Sequence, residues 1–459
     1  MFRRILVANR GEIAARVMRA CREMGIETVG VFSEADRGAP WLSEATATVC
    51  LGPAAAARSY LDAAAVLQAA EQTEAQAIHP GYGFLSENAV FAARCHQHGI
   101  TFIGPPPSAI RRMGDKLEAK RTMAAAGVPT IPGSLEPATT AARARELADA
   151  AGYPVLLKAS AGGGGKGMRR CDRASGLASA FAEAAREAGA AFGNAEVYVE
   201  KYFEGGRHVE FQVLCDAYGN AVHLGERECS VQRNHQKLLE ESPSPAITAA
   251  EREEHGRRAA KAAASFGYVS AGTLEFLRAE DGALYFMEMN TRLQVEHPVT
   301  EMRAGIDLVR AQIEIAAGCR LPSGQEAVRF SGHAIEMRIN AEDPAAGFRP
   351  DPGTVEEVVL PPASVSGATV RFDSGVAAGW TIPPHYDSLI GKLIVHAADR
   401  AGAIAAAREA LAALRIAGVK TTIPLHRRIL DDPEFVAGRY DVGWLARKAL
   451  ASEAAVTKG

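Results

Sequence analysis

The stretch GTLEFLRAEDGALYFMEMNTRLQVEH, residues 272–297, decides how this chain folds and what it can hold. Asp281-Gly282 is a strong signal for a two-residue hairpin turn. With the turn centred there, Glu275 lies directly opposite Glu288, both side chains on one face of the ribbon. Carboxylates that close repel unless a cation sits between them. A hard divalent ion with oxygen ligands, Mg2+ or Mn2+, resolves the conflict. Asn290 has the parity of Glu288 and supplies another oxygen. The same parity runs on through Arg292, Gln294 and Glu296, alternating with Thr291, Leu293 and Val295. If the chain stays extended, one face presents metal ligands, a cation, an amide and a carboxylate in file. A half-solvated strand gives a similar alternation, but such a face more usually mixes Lys, Thr and Ser. Pro298 then stops the pairing.

A second stretch, KASAGGGGKGMRR at residues 158–170, asks what must approach a backbone bare of side chains. It is not the nucleotide P-loop, because Gly167 follows Lys166 where Ser or Thr is needed and Ser160 stands at the first glycine position. Nor is it a dinucleotide fingerprint, since it joins two strand-like segments, YPVLLKAS and MRRC, as a hairpin flap would. At the N-terminal strand–turn–helix, NRGEIAAR carries a single glycine of that set. A flap of exposed N–H groups from Gly162, Gly163, Gly164, Gly165 and Gly167, with Lys158 before it and Lys166 inside it, suits polyphosphate oxygens. The plainer alternative is a surface loop; the flanking lysines and strands favour phosphate.

At 459 residues the chain is long enough for about three domains. A hydrophobic fraction of 47% and a charged fraction of 23% are ordinary for a globular protein. Lys+Arg 51 against Asp+Glu 54 gives a net charge of -3, which argues against nucleic acid or an anionic membrane as partner. The 7 cysteines are scattered without metal-type spacing, as free thiols in a reducing compartment would be. The apolar start breaks at Asn9-Arg10, too early for a signal peptide, and no run approaches membrane-spanning length. A cytoplasmic protein is the expectation. Strands and helices alternate up to about residue 113, as in an open parallel α/β sheet. A second α/β unit containing the flap follows, and after GHAIEMRIN the pattern turns β-rich, with a helix at AGAIAAAREALAALR. The class is therefore α/β and α+β.

Taken together, VANRGEIAARV, HPGYGFLSEN, MGDK, KASAGGGGKGM, EKYF, RHVEFQVL, ERECSVQRNHQK, GTLEFL, MEMNTRLQVEHPVTE and EMRINAEDP resemble biotin carboxylase, the ATP-grasp component of biotin-dependent carboxylases. The resemblance runs in order from Phe2 to about Trp444. It implies an N-terminal domain over 1–113, an ATP-grasp domain over 114–330 with a mobile glycine-rich lid at about 131–203, a β-rich C-terminal domain over 331–446 and a tail at 447–459. It implies a ligase that uses ATP and bicarbonate to carboxylate biotin at N1. On this likeness Lys116 and Lys158 bind the phosphates beneath the lid. Glu200, the backbone of Lys201, and Phe203 frame the adenine, and His208, Gln232 and His235 lie near ribose and phosphates. Glu275 and Glu288 match the metal ligands, with Asn290 beside them.

Bicarbonate is then held by Lys237, Arg292, Gln294 and the backbone of Val295, with Glu296 as its general base. Arg338 stabilises charge developing on biotin, and Tyr82 and Gly83 sit by the biotin ring; for those two and Glu87 a turn-forming role fits as well. The sequence departs from the family around Trp41 and Thr46, near which His and Asp are usual, and at Phe203 (commonly Leu) and Asn234 (commonly Arg). Arg19 and Glu23 match positions of the family's dimer, so a homodimer is implied. No Met-Lys-Met biotinylation site and no carboxyltransferase segment are present. The expected partners are therefore a separate biotin carboxyl carrier protein and carboxyltransferase subunits, acetyl-CoA carboxylase being the default complex. Another ATP-grasp ligase or a non-catalytic nucleotide-binding subunit would share Glu275, Glu288 and the flap. The other ligase gives Arg292, Gln294, Glu296 and Arg338 no special reason to coexist, and the intact lysines and carboxylates argue against a non-catalytic subunit.

Overall fold

Short β-branched runs near the N-terminus pair into a parallel sheet. In the computed structural model, which describes residues 1–160, 168–321 and 324–448, its strands are β1 (Arg4–Val7), β2 (Glu27–Ser33), β3 (Ala47–Gly52), β4 (Ala77–His79) and β5 (Thr101–Phe102). They lie in the order β3-β2-β1-β4-β5, every neighbour parallel. Ile5, Leu6 and Val7 are wholly buried, as a strand covered on both faces requires. β1 leads through Gly11, at φ +66°, into helix α1 (Gly11–Glu23). Trp41 is buried in the apolar cluster around Met18 and Phe32. Thr46 takes a hydrogen bond at Oγ1 from the Thr28 N–H at 3.1 Å, so the segment holding both departures is anchored.

The glycine flap lies between paired strands. β6 (Val155–Ala159), β7 (Met168–Cys171) and β8 (Val197–Lys201) form an antiparallel sheet in the order β7-β6-β8, with Lys158 opposite Met168. The loop itself, with Gly162, Gly163, Gly164, Gly165, Lys166 and Gly167, lies outside the described residues.

The largest sheet is antiparallel. It contains β9 (Arg207–Cys215), β10 (Ala221–Arg233), β11 (Gln236–Ser242), β12 (Ser270–Arg278), β13 (Leu284–Asn290) and β14 (His333–Asn340). Their order is β13-β12-β9-β10-β11-β14, continued by strands Leu389–Ala397, Ala368–Ser374 and Ser364–Val365. The β11–β14 pairing therefore runs the central and C-terminal parts of the chain into one sheet. Val209, Phe211, Leu274 and Phe276 form an apolar face packed with residues of helix Ala249–Ser265. Alternation along β9 sends His208, Glu210 and Gln212 to the opposite face.

The expected hairpin is present, with one correction. Its reversal is a three-residue loop, Glu280-Asp281-Gly282, closed by the Ala279 N–H donating to the Ala283 carbonyl at 2.9 Å, with Gly282 at φ +87°. Beside the loop the pairing is one residue off the expected register, Leu277 facing Tyr285. A bulge between Glu275 and Phe276 absorbs the difference. Beyond it Glu275 faces Glu288 and Thr273 faces Asn290.

Candidate active site

The polar face of β9, β12 and β13 sets three carboxylates side by side: Glu210 opposite Glu275, and Glu275 opposite Glu288. Such a row holds only with cations set into it. Lys237, from β11, places Nζ 2.6 Å from Glu210 Oε2, 3.0 Å from Glu275 Oε1 and 2.6 Å from Glu296 Oε1. Arg227, wholly buried, donates from Nε to Glu210 Oε1 at 2.5 Å and from one terminal nitrogen to Gln212 Oε1 at 2.8 Å. Burial works against the charge on Lys237, but its surroundings, Cys229 and these carboxylates, hold its pKa well above the usual lysine range.

The chain does not stay extended to Glu296. β13 ends at Asn290, and Glu296 (φ -81°, ψ 12°) caps helix His297–Ala304, whose first turn contains Pro298. The expected file of side chains converges all the same, through an irregular turn. Gln294 Nε2 donates to Glu275 Oε1 at 3.0 Å. Arg292 donates to Asn290 Oδ1 and to Glu87 Oε2, both at 2.9 Å. From β14, Arg338 donates to Glu296 Oε2 at 2.8 Å and from Nε to Glu240 Oε1 at 2.6 Å. Glu296 is fully buried. Burial alone would raise its pKa, yet Lys237, Arg338 and Arg227 outweigh it and hold the carboxyl well below the usual range. Glu336, two residues before Arg338 on β14, is also fully buried. Neither of its oxygens finds a hydrogen-bond partner among the described residues, and burial pushes its carboxyl well up.

Glu275, Glu288 and Asn290 stand together as the hairpin reading expects. Asn290 Nδ2 donates to Glu275 Oε1 at 2.8 Å, while Glu288 accepts no hydrogen bond among the described residues. The Glu288 side chain reaches solvent; crowding by the protein and the charge of Glu275 raise its carboxyl, against Lys158 and Lys116. Two facing carboxylates, one of them with no cation in contact among the described residues, fit a divalent ion.

Among the residues expected to face a nucleotide, Glu200 is buried and accepts from Lys158 Nζ at 2.9 Å and Lys120 Nζ at 3.0 Å. Burial and Lys158 lower the pKa of Lys116. Phe203 stacks on Tyr285, ring centroids 5.1 Å apart, at a cleft of about 720 Å3 lined also by Lys201, Tyr202 and Pro154. His208 Nε2 lies 3.1 Å from Glu275 Oε2, and Gln232 Nε2 is 3.4 Å from His208 Nδ1. His235 is exposed at the β10–β11 turn at φ +65° and is not joined to this cluster. Tyr82 is held through its carbonyl by Asn9 Nδ2 at 2.7 Å and donates its hydroxyl to Glu12. Gly83, at φ +69°, completes that turn.

Sequence reasoning missed Glu210, Arg227, Glu240 and Lys120. The polar alternation His208, Glu210, Gln212 was a readable sign for the first. Nothing local marks Arg227, Glu240 or Lys120, because their partners come from other strands, that of Lys120 being Glu200 on β8.

A row of carboxylates bridged by a largely buried lysine, in a chain whose glycine-rich segment joins two paired strands, defines an ATP-grasp ligase. Residues 1–110 match the family Biotin carboxylase, N-terminal domain; 115–324 match Carbamoyl-phosphate synthase L chain, ATP binding domain; and 336–447 match Biotin carboxylase C-terminal domain. Biotin carboxylase of Nostoc sp. is 54% identical over 444 residues, 97% of this chain and 98% of that protein. The chloroplastic enzyme of Arabidopsis thaliana is 51% identical over 97% of this chain and 82% of its own length. The Campylobacter jejuni biotin carboxylase, solved as a beta-gamma-ATP complex, superposes with a TM-score of 0.93 at 47% identity, covering 97% of this chain and 99% of that one. The biotin carboxylase domain of Hydrogenobacter thermophilus 2-oxoglutarate carboxylase, solved as a dimer with MgADP, ADP and bicarbonate, gives 0.91 at 49%, covering 97% and 98%. The chain belongs to the biotin carboxylase family, ATP-dependent ligases that carboxylate biotin with bicarbonate.

Proposed function

We propose that this chain performs the first half-reaction of acetyl-CoA carboxylase, on biotin carried by a separate carrier protein, with carboxyltransferase subunits completing the complex. Lys116, Lys158 and the flap at 162–167 hold the ATP phosphates; Glu200, Lys201 and Phe203 border the adenine, with His208, Gln232 and His235 toward ribose and phosphates. Glu275, Glu288 and Asn290 would hold Mg2+ or Mn2+, which when bound neutralises phosphate charge. Lys237, Arg292, Gln294 and the Val295 N–H take bicarbonate. Its negative charge replaces Glu296 as partner of Lys237, leaving the Glu296 carboxylate to remove its proton. The bicarbonate oxygen attacks the γ-phosphorus, ADP departs and carboxyphosphate results. That species breaks to CO2 and phosphate; the phosphate takes the N1 proton of biotin, and N1 bonds to the CO2 carbon. Arg338 meets the charge developing on the ureido oxygen, with Tyr82 and Gly83 beside the ring. A cytoplasmic homodimer accords with the free cysteines and with the dimeric relative.

The observation that carries this reading is Glu296 gripped between Lys237 and Arg338, a buried carboxylate between two anion-binding cations. The test is ATP cleavage by the purified chain. Cleavage dependent on bicarbonate and stimulated by free biotin supports it; cleavage indifferent to both excludes it.

A further inference from the structure

Lys392, on strand Leu389–Ala397, is wholly buried, so its ammonium must find partners inside the protein. It finds two. Nζ donates to the backbone carbonyl of Val295 at 2.9 Å and pairs with Glu12 Oε2 at 3.1 Å. Glu12 sits in the first turn of α1 and accepts the Tyr82 hydroxyl on its other oxygen. Burial and Glu12 keep Tyr82 far above the range in which a phenol ionises, so it stays a donor. The position of Glu12 is fixed in turn from the C-terminal side. A Cβ on Gly375 would come within 2.6 Å of the Gly11 carbonyl carbon and 2.8 Å of the Glu12 nitrogen, which shows how closely the two segments pack.

One ammonium thus joins segments hundreds of residues apart, and the two groups it touches lead to opposite sides of the site. Val295 stands between Gln294 and Glu296, and bonding its carbonyl fixes the turn that presents both side chains and the Val295 N–H. Glu12 leads to Tyr82, on the biotin side.

We propose that Lys392 is a positioning residue that holds the bicarbonate turn through Val295 and the biotin loop through Glu12 and Tyr82. The inference rests on the function proposed above. It sets Lys392 apart from a plain structural cation, whose loss would affect all substrates alike.

The test measures KM for ATP, bicarbonate and free biotin, with thermal unfolding, on the full chain and two variants. Lys392→Met is expected to raise KM for bicarbonate and for biotin about ten-fold each, the scale of a lost charge-assisted hydrogen bond. KM for ATP should stay within about two-fold. Glu12→Gln should raise KM for biotin alone. A folded Lys392→Met protein with both constants unchanged, or with ATP affected equally, overturns the proposal. Should that variant not accumulate folded, Glu12→Gln decides alone: a selective biotin defect supports the proposal, and an unchanged biotin constant overturns it. Unmutated chain lacking bicarbonate-dependent cleavage would instead remove the underlying function, a separate result.

Discussion

Glu296 carries its charge in a place where a lone carboxylate would be neutral. Its side chain is fully buried, and what keeps it ionised is contact with Lys237 and Arg338, with Arg227 behind. A carboxylate so held is a weak base until one of its cations turns to another anion, so in the proposed reaction proton removal would wait for bicarbonate. Glu296→Gln keeps the shape and removes the base. Bicarbonate-dependent ATP cleavage is expected to fall by about 10²–10³; nucleotide binding, followed by calorimetry, should be retained. Glu240 shows the opposite balance. Burial pushes it up, Arg338 pulls it back and Glu296 adds to the rise, leaving it at about 7. Alternation past Glu288 picked out Glu296, although the strand ends at Asn290 and an irregular turn, not parity, brings its side chain into the site. Glu240 was not legible, because only the pairing of β11 with β14 brings it to Arg338.

Among the elements, those with strong local signals were readable end to end. Helix Ala249–Ser265 starts at a capping box: the Thr248 hydroxyl accepts from the Glu251 N–H, and the Glu251 carboxylate accepts from the Thr248 N–H. Thr248→Ala should lower stability by about 1 kcal/mol, read by chemical unfolding, and leave all KM values unchanged, since the helix covers the apolar face away from the site. Strand β3 had no comparable signal: its sequence, ATVCLG, lies at the sheet edge and is largely exposed, so neither alternation nor a continuous apolar run marks it. The hairpin lies between these cases. Gly282 announced a reversal, but loop length and the compensating bulge depend on how β12 pairs with β9 on its other side.

Across the whole molecule, Glu241 ties the central sheet to the C-terminal segments. It accepts from Arg400 Nε at 2.7 Å, lies 2.6 Å from His333 Nε2 and takes the Tyr440 hydroxyl. Burial opposes its ionisation, but the bonds from His333 and Arg400 outweigh burial and bring it from 4.5 to about 2. Between those values the unfolded chain binds more protons than the folded one, so stability rises with pH across the window. The contribution, about 3 kcal/mol, is fully present above about 4.5 and lost as pH falls toward 2. Glu241→Gln should therefore lower the melting temperature clearly at pH 7 and much less at pH 3, measured by scanning calorimetry. An equal deficit at both would refute the assignment.

The amino-acid order alone determined the alternating strands and helices and the paired acids of the hairpin, and it picked out the polar residues beyond them though not the turn that gathers them, because periodicity, turn residues and charge repulsion act over a few residues. Tertiary structure decided the rest. Which cations neutralise those acids, how the turn before Glu296 is held, and where Lys392 reaches depend on strands that meet only in the nine-stranded sheet and on α1 packing against it. A buried charge must find its partner in space, and sequence distance says nothing about where that partner lies.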